Sequence, residues 1–128
     1  MDAKKHDHIL SITSHIPHLI AYNLVSTSIN IQDEKKSEIV KYSASGLRDF
    51  TRIAASNPIM WRDIFIQNKK NTSIMVNKFI NNLEELKKAI ENEDEKKLEQ
   101  IFLKTKKIRQ DIVEAGQDVD KPNFGRKQ

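Results

Sequence analysis

The sequence predicts an all-α protein, a helical bundle with long helices. Apolar residues recur at spacings of three and four over long stretches, and the 128 residues include only 3 glycines and 3 prolines. With 38% hydrophobic and 31% charged residues, the chain is too apolar for a disordered protein and too poor in turn residues for a β-sandwich. We expect a single domain over residues 1–128.

The first predicted helix contains a proline. Asp2 can cap this helix, and its apolar positions continue toward Ile29. Pro17 lies inside it, and an interior proline removes one backbone hydrogen bond and clashes with the preceding turn. We therefore expect a kink near Ser14, at a cost of about 3 kcal/mol unless something compensates. Such a cost suggests that the kink serves a site.

The middle of the chain is predicted to form shorter elements. A second helix should cover about residues 33–42, and the small residues at 43–46 should form a tight loop. Another short helix should open at Asp49 or Thr51. It should end at Ser56, because the Asn-Pro dipeptide that follows disfavours helical geometry.

The second half of the chain is predicted to form long helices. Pro58 suits a first helical turn, and the pattern from there runs to Ile90, with a possible bend at Asn71-Thr72. A break follows at 92–94, and the last helix should stop at Gly116, a natural left-handed cap. Long helices on so small a chain cannot all be covered within one subunit, so we expect an intertwined homodimer.

Charge and composition narrow the function classes. Lys plus Arg is 22 and Asp plus Glu is 18, but the two signs are interleaved, which is typical of solvated helix faces. We therefore expect no nucleic-acid partner. No apolar run approaches the roughly 18 residues of a membrane span, so we expect no membrane partner. The lack of cysteine excludes disulfides and thiolate metal sites and allows the cytoplasmic location that we expect.

Polar residues form a stripe on the first helix. At about 100° per residue, the stripe lies opposite the apolar positions and contains Asp7, Ser11, Ser14, His15, His18 and Tyr22. The plainest interpretation is a solvent-facing side. His15 and His18 could also share a metal, but no third ligand completes that pattern and we expect none. The remaining possibility is that both face a pocket at the Pro17 kink, partly lined by residues 46–52.

Two arginines form a second candidate cluster. Arg48 and Arg52 are four residues apart and flank Asp49, so one helical turn presents two guanidinium groups and a carboxylate. Guanidinium groups hold carboxylates by two parallel hydrogen bonds, which suits an anionic organic acid as ligand. The alternative is a surface charge pair worth less than about 1 kcal/mol.

Three segments together resemble the prephenate and arogenate dehydrogenases of tyrosine biosynthesis. In order, they read SHIPH at 14–18, LRDFTRIA at 47–54 and PIMWRDI at 58–64. His6-Asp7 upstream and the tail at 115–126 extend the resemblance over nearly the whole chain. Ser45 and Leu47 depart from the glycine and phenylalanine that are usual in the family, which leaves the backbone path of that loop open.

The resemblance implies a C-terminal domain that supplies dimerisation and part of the substrate pocket. The whole enzyme oxidatively decarboxylates prephenate to 4-hydroxyphenylpyruvate with NAD or NADP. By resemblance, Arg52 would hold a substrate carboxylate, with Arg48 as the competing candidate. His15 and His18 would hydrogen-bond substrate or order its pocket, and Trp61 would pack at the pocket edge. Ser14 would belong to the same substrate-binding set. A polar network that could cross the dimer interface would contain Arg48, Asp49 and Asp7.

The residues expected of a dinucleotide site are absent. The three glycines, at 46, 116 and 125, cannot form a Gly-x-Gly-x-x-Gly turn. We therefore expect the catalytic residues and the cofactor site in an N-terminal domain outside this chain, and a fragment that binds no NAD or NADP and is inactive alone. Three alternatives stay open: an arogenate dehydrogenase domain, a helical enzyme similar to chorismate mutase, and a non-catalytic dimerisation module.

Overall fold

The computed structural model describes residues 2–31 and 45–116, and all regular structure in these ranges is helical, as predicted. The α-helices are α1 (Ala3–Leu10), α2 (Ile16–Ile31), α3 (Ser45–Thr51), α4 (Pro58–Gln67), α5 (Lys69–Glu91) and α6 (Glu95–Glu114). A π-helical segment, Ser11–His15, joins α1 to α2, and a 3-10 turn, Arg52–Ala55, follows α3. Among the helices described, none is long and apolar enough to cross a membrane.

The first helix accommodates its proline by widening. The Asp2 carboxylate caps α1 by accepting a hydrogen bond from the Lys5 backbone N–H at 2.8 Å, as predicted. In the π-helical segment, the Ile16 N–H bonds the carbonyl of Ser11, five residues back. Pro17 has no N–H to donate and its ring would crowd the preceding turn, so a wider turn relieves the clash. The disturbance predicted near Ser14 therefore takes the form of a π-helical segment.

The element around Gly46 begins earlier than predicted. The helix expected at 33–42 and the first half of the expected loop, 43–44, lie outside the described residues. The prediction that Ser45 and Gly46 belong to a loop and that Asp49 or Thr51 opens the helix is wrong, because α3 starts at Ser45. The Thr51 hydroxyl instead donates to the Leu47 carbonyl at 2.7 Å in the last turn of α3. A helix tolerates glycine at a cost of about 1 kcal/mol relative to alanine, so Gly46 does not stop it.

The boundary between α3 and α4 agrees with the prediction. The 3-10 turn that follows α3 ends at Ala55, and Ser56 caps it by donating its N–H to the Ile53 carbonyl at 3.2 Å. Asn57 then caps α4, because its side-chain oxygen accepts hydrogen bonds from two backbone N–H groups at 2.9 and 3.2 Å. Pro58 occupies the first turn of α4.

The long helix predicted from Pro58 breaks earlier than expected. The predicted bend at Asn71-Thr72 is wrong, since α4 ends at Gln67 and both residues lie within α5. The break is at Asn68, whose backbone has φ −106° and ψ 36°. Asparagine tolerates such non-helical geometry. The Asn68 side chain also forms hydrogen bonds with residues that are distant in the sequence.

By its contacts the chain divides into two compact units, Met1–Lys78 and Phe79–Gln128. In the first unit, α2 packs against α3 and the 3-10 turn. The Tyr22 hydroxyl of α2 donates to the Ser56 carbonyl at 2.9 Å, and Ile16, Ala21 and Trp61 are buried.

The second unit contains the end of α5 and all of α6. The predicted break at 92–94 is present: Glu93 has a φ of 52°, and the Asp94 side chain caps α6 by accepting from the Lys97 N–H at 3.2 Å. An ion pair between Lys97 Nζ and Glu85 Oε1, 3.2 Å apart, joins the two helices. The described chain leaves α6 through Gly116, whose φ of 77° is the left-handed cap that the sequence predicts.

Candidate functional site

Both histidines of the polar stripe pack against one tryptophan. Trp61 of α4 is buried, and the His18 ring stacks on it with ring centroids 3.7 Å apart and planes 20° apart. His15 approaches the same indole edge-on, at 6.1 Å and 82°, and Phe65 lies 5.5 Å from it. His15 is itself buried. The interpretation of these two histidines as a plain solvent-facing surface is therefore wrong.

One nitrogen of His15 is held by an asparagine. His15 Nδ1 lies 3.1 Å from Asn68 Nδ2, and the same Nδ2 donates to the Asp7 carbonyl oxygen at 2.9 Å. The Asn68 Oδ1 accepts from Asn71 Nδ2 at 3.0 Å. A carbonyl oxygen can only accept, so the Asp7 contact identifies the Asn68 atom nearest to His15 as the amide nitrogen. His15 Nδ1 is therefore the acceptor in this pair.

The surroundings of His15 also disfavour its charged form. Burial lowers the pKa of His15 below its ordinary value of 6.5. The Asp7 carboxylate acts in the opposite direction, while His18 and His6 lower the pKa further. His15 is therefore mainly neutral at neutral pH, and because Nδ1 accepts, the proton of the neutral ring is on Nε2.

His18 has the opposite arrangement of donor and acceptor. Its Nδ1 lies 2.8 Å from the Ser14 carbonyl oxygen, one turn back in the chain. Since the carbonyl accepts, Nδ1 carries the proton, and in a neutral ring Nε2 is left as an acceptor. The backbone of Ser14 thus orients the ring. His18 is only half-buried, so a ligand can reach it.

Among the described residues, no hydrogen bond joins Arg48, Asp49 or Arg52 to this aromatic cluster. Arg48 and Arg52 are exposed and Asp49 is half-buried. Within residues 2–31 and 45–116, none of these three side chains forms an ion pair, and the Asp7 carboxylate lies 3.7 Å from His6 Nδ1. Arg52 belongs to the 3-10 turn that packs against α2, the helix of His18. Both guanidinium groups are therefore open to an anionic ligand.

Sequence reasoning missed Asn68. An asparagine between two helices is typical of a cap, and no local signal indicates that its amide reaches residues 53 and 61 positions away. Two further polar atoms are buried without a hydrogen-bond partner among the described residues, Trp61 Nε1 and Thr72 Oγ1. In the same part of the chain, no group of three His, Cys, Asp or Glu side chains is placed to hold a metal ion.

Comparisons with known proteins agree with the resemblance in the sequence. The family model of the prephenate dehydrogenase dimerization domain matches residues 2–104. The cyclohexadienyl dehydrogenase of Zymomonas mobilis is 38% identical over 109 residues, which cover 85% of this chain and 37% of the relative. The prephenate dehydrogenase of Bacillus subtilis is 36% identical over 110 residues, which cover 85% of this chain and 29% of the relative.

A solved structure gives the same result for the fold. Prephenate dehydrogenase from A. aeolicus, in complex with hydroxyphenyl propionate and NAD+, matches with a TM-score of 0.79 and 39% identity over 88% of this chain and 39% of that chain. The chain thus spans less than two fifths of the length of these relatives. The family model, the relatives and the fold agree, and the chain belongs to the prephenate dehydrogenase family, within its dimerization domain.

Proposed function

We propose that this chain is the C-terminal domain of a prephenate dehydrogenase, where it forms the dimer and lines part of the substrate pocket. The observation that carries this proposal is the packing of His15 and His18 on buried Trp61, in a unit where the turn of Arg52 packs on the helix of His18. An aromatic wall with a donor and an acceptor, in a unit that also presents a cation, suits a small cyclic acid.

The reaction of the whole enzyme is the oxidative decarboxylation of prephenate to 4-hydroxyphenylpyruvate with NAD or NADP. The residues of this chain do not fit a dinucleotide, because they contain no glycine-rich turn before a helix. We therefore assign the cofactor and the catalytic residues to a separate N-terminal domain. The role of this chain is to bind and orient the substrate.

Charge argues for Arg52 as the principal substrate-carboxylate ligand. Prephenate is a dianion, and a pocket that excludes water must replace its hydration with a fixed cation. His15 cannot supply that charge, because burial lowers its pKa. Arg48 is the competing cation, one turn earlier and adjacent to Asp49. Arogenate, which has an amino group in place of the side-chain keto oxygen of prephenate, is the alternative substrate.

The apolar surface argues for a homodimer. Large apolar side chains of α4, α5 and α6 are exposed in the single chain: Ile59, Met60, Ile66, Ile74, Phe79, Ile80, Leu83, Ile90, Phe102, Leu103, Ile108 and Ile112. Exposed apolar side chains in such number mark an interface, and a second copy is the simplest occupant in a dimerization domain. We propose a cytoplasmic homodimer with no nucleic-acid or membrane partner. Light scattering at micromolar concentration tests the dimer, and a concentration-independent monomer would contradict it.

A fused enzyme tests the activity. The part of the Zymomonas mobilis relative that lies outside the matched region should, when joined to this chain, oxidise prephenate or arogenate with NAD or NADP. This chain alone should neither bind the cofactor in calorimetry nor turn over substrate. If the fused enzyme folds, binds cofactor and converts neither substrate, the proposed activity is wrong.

The same fusion tests Arg52. Arg52→Gln should raise KM about tenfold or more, the loss expected for a charge-assisted pair of about 1.5 to 3 kcal/mol, while dimerisation and circular dichroism stay unchanged. Arg48→Gln is the matched control and should have a smaller effect. Unchanged kinetics for Arg52→Gln would exclude it as the carboxylate ligand, and an unfolded variant would identify it as a structural residue.

A further inference from the structure

The amide of Asn68 connects three parts of the first unit. It lies at the junction of α4 and α5, where the chain leaves helical geometry. Its side chain bonds the carbonyl of Asp7 in α1, the ring of His15 in the π-helical segment and the amide of Asn71 in α5. These partners occupy both ends of the amide, so its orientation is fixed from several directions.

That orientation determines which nitrogen of His15 carries the proton. If the amide were reversed, Asn68 Oδ1 would face the Asp7 carbonyl oxygen, and two acceptors would meet at 2.9 Å. With the nitrogen facing Asp7, an N–H also points at His15 Nδ1, which must then be unprotonated. A proton on Nδ1 would place two donors 3.1 Å apart.

We propose that Asn68 is a positioning residue that holds His15 as the neutral tautomer with its proton on Nε2, so that the ring offers substrate a hydrogen-bond donor without a positive charge. The part concerning substrate rests on the proposed function, whereas the tautomer is a property of this chain by itself. The consequence is a division of roles: His15 donates to an oxygen of the substrate, and His18, held by the Ser14 carbonyl, accepts from one.

The charges around His15 are consistent with this role. The titratable groups that act on it are Asp7 and His6 from α1 and His18 from α2. The groups of α4 and of the junction after it that contact the His15 ring are uncharged in the described contacts, namely the Trp61 ring and the Asn68 amide. Asp7 favours protonation, but the Asn68 N–H occupies the Nδ1 position and burial opposes the charged form.

NMR of the chain labelled with ¹⁵N at histidine reads the tautomer directly. At neutral pH, the ring of His15, assigned from the signals lost in His15→Gln, should show Nδ1 as the unprotonated nitrogen and Nε2 as the protonated one. The opposite tautomer, or a ring protonated on both nitrogens, would overturn the proposal without any variant of Asn68.

Asn68→Asp reverses the interaction. A carboxylate accepts where the amide donates, so the proton should move to Nδ1 and the pKa of His15 should rise by about one unit or more. Asn71→Ala is the matched control: it removes a bond to the same amide but leaves the Asp7 contact, so the tautomer should stay unchanged. An unaltered tautomer in Asn68→Asp would overturn the proposal. If that variant does not fold, the spectrum of the unchanged chain still decides.

Kinetics of the fused enzyme test the role toward substrate. At alkaline pH, where the ring is neutral, Asn68→Asp should raise KM about tenfold with a smaller change in kcat, because His15 Nε2 no longer donates, and Asn71→Ala should leave KM within about twofold. A changed tautomer with unchanged KM would overturn the role of His15 toward substrate. The proposed activity would still stand, because it is read from the unmodified fusion.

Discussion

The two compact units of the chain differ in what they bury. The first, Met1–Lys78, encloses polar side chains, namely Ser11, His15 and Thr72, beside a few apolar ones. The described part of the second, residues 79–116, buries only Ala89 and leaves leucine, isoleucine and phenylalanine side chains in water. Buried polar groups cost free energy unless they are hydrogen-bonded, and exposed apolar patches cost free energy unless they are covered. The first unit therefore has the polar interior in which we propose the site, and the described part of the second unit has mainly the apolar surface that we propose as part of the interface.

This contrast has a physical basis in the amino acids themselves. His15 is stable in the interior because half-buried Asn68 donates a hydrogen bond to its Nδ1. Leu83 and Phe102 need no hydrogen-bond partner. Because their apolar side chains are exposed, they are stabilised only when another apolar surface covers them. The two kinds of stability should therefore respond to different substitutions.

The largest effect is expected when charged side chains replace exposed apolar ones in the second unit. Leu83 and Phe102 are 54% and 55% exposed in the single chain. Replacing both with glutamate should raise the dimer dissociation constant about a thousandfold, because each truncated interface side chain costs about 2 kcal/mol. Sedimentation or light scattering over a dilution series measures this. Gln100→Glu, on an exposed position of α6, is the control and should leave the dimer intact. An unchanged constant in the double variant would place the interface elsewhere.

A smaller but still large effect is expected for the tryptophan of the first unit. Trp61→Ala should lower the free energy of unfolding by about 3 kcal/mol or more, because Trp61 is 6% exposed and packs against His15, His18 and Phe65. Denaturant titration at fixed protein concentration measures the loss. Arg62→Ala, the exposed next residue, should change stability by less than about 0.5 kcal/mol. Equal effects of the two variants would mean that the aromatic cluster does not organise this unit.

The pH dependence should be smaller and should come from the first unit. Folding lowers the pKa of His15 below 6.5, mainly through burial, so the unfolded chain binds more protons in the window just below that value. The free energy of unfolding should therefore fall as the pH falls through 6.5. His15→Gln should flatten this slope, whereas Thr13→Ala, exposed on the same segment, should leave it unchanged. A slope that persists in His15→Gln would assign the effect to another group.

The smallest effect is expected for the ion pair of the second unit. Lys97 and Glu85 are each about half exposed, so Lys97→Ala should cost less than about 1 kcal/mol and the loss should shrink at high salt. Lys96→Ala, the neighbouring exposed lysine, controls for helix propensity. A larger, salt-independent loss would show that this unit depends on charge more than on apolar contact.

The sequence by itself determined those helix ends that depend on interactions with neighbouring residues. Asp2, Asn57-Pro58, Asp94 and Gly116 act on backbone groups within a few residues, so their effects can be read from neighbouring positions. By its resemblance to the motifs of a known family, the sequence also identified His15, His18 and Trp61 as a set, and the structure brings these three rings together. The proposed roles of Arg52, Arg48 and Asp49 remain predictions.

Tertiary structure alone decided the break at Asn68 and its partners. The residues near position 68 do not indicate that its amide bonds His15, 53 residues away, and Asp7, 61 residues away. These contacts form only when α1 packs beside the junction of α4 and α5. The π-helical segment shows the same limit. Its turns advance less per residue than the roughly 100° of an α-helix, so a regular helical projection misplaces Ser11 and His15 on the outer face, whereas they are buried. Local rules act over one helical turn, but burial depends on the whole unit.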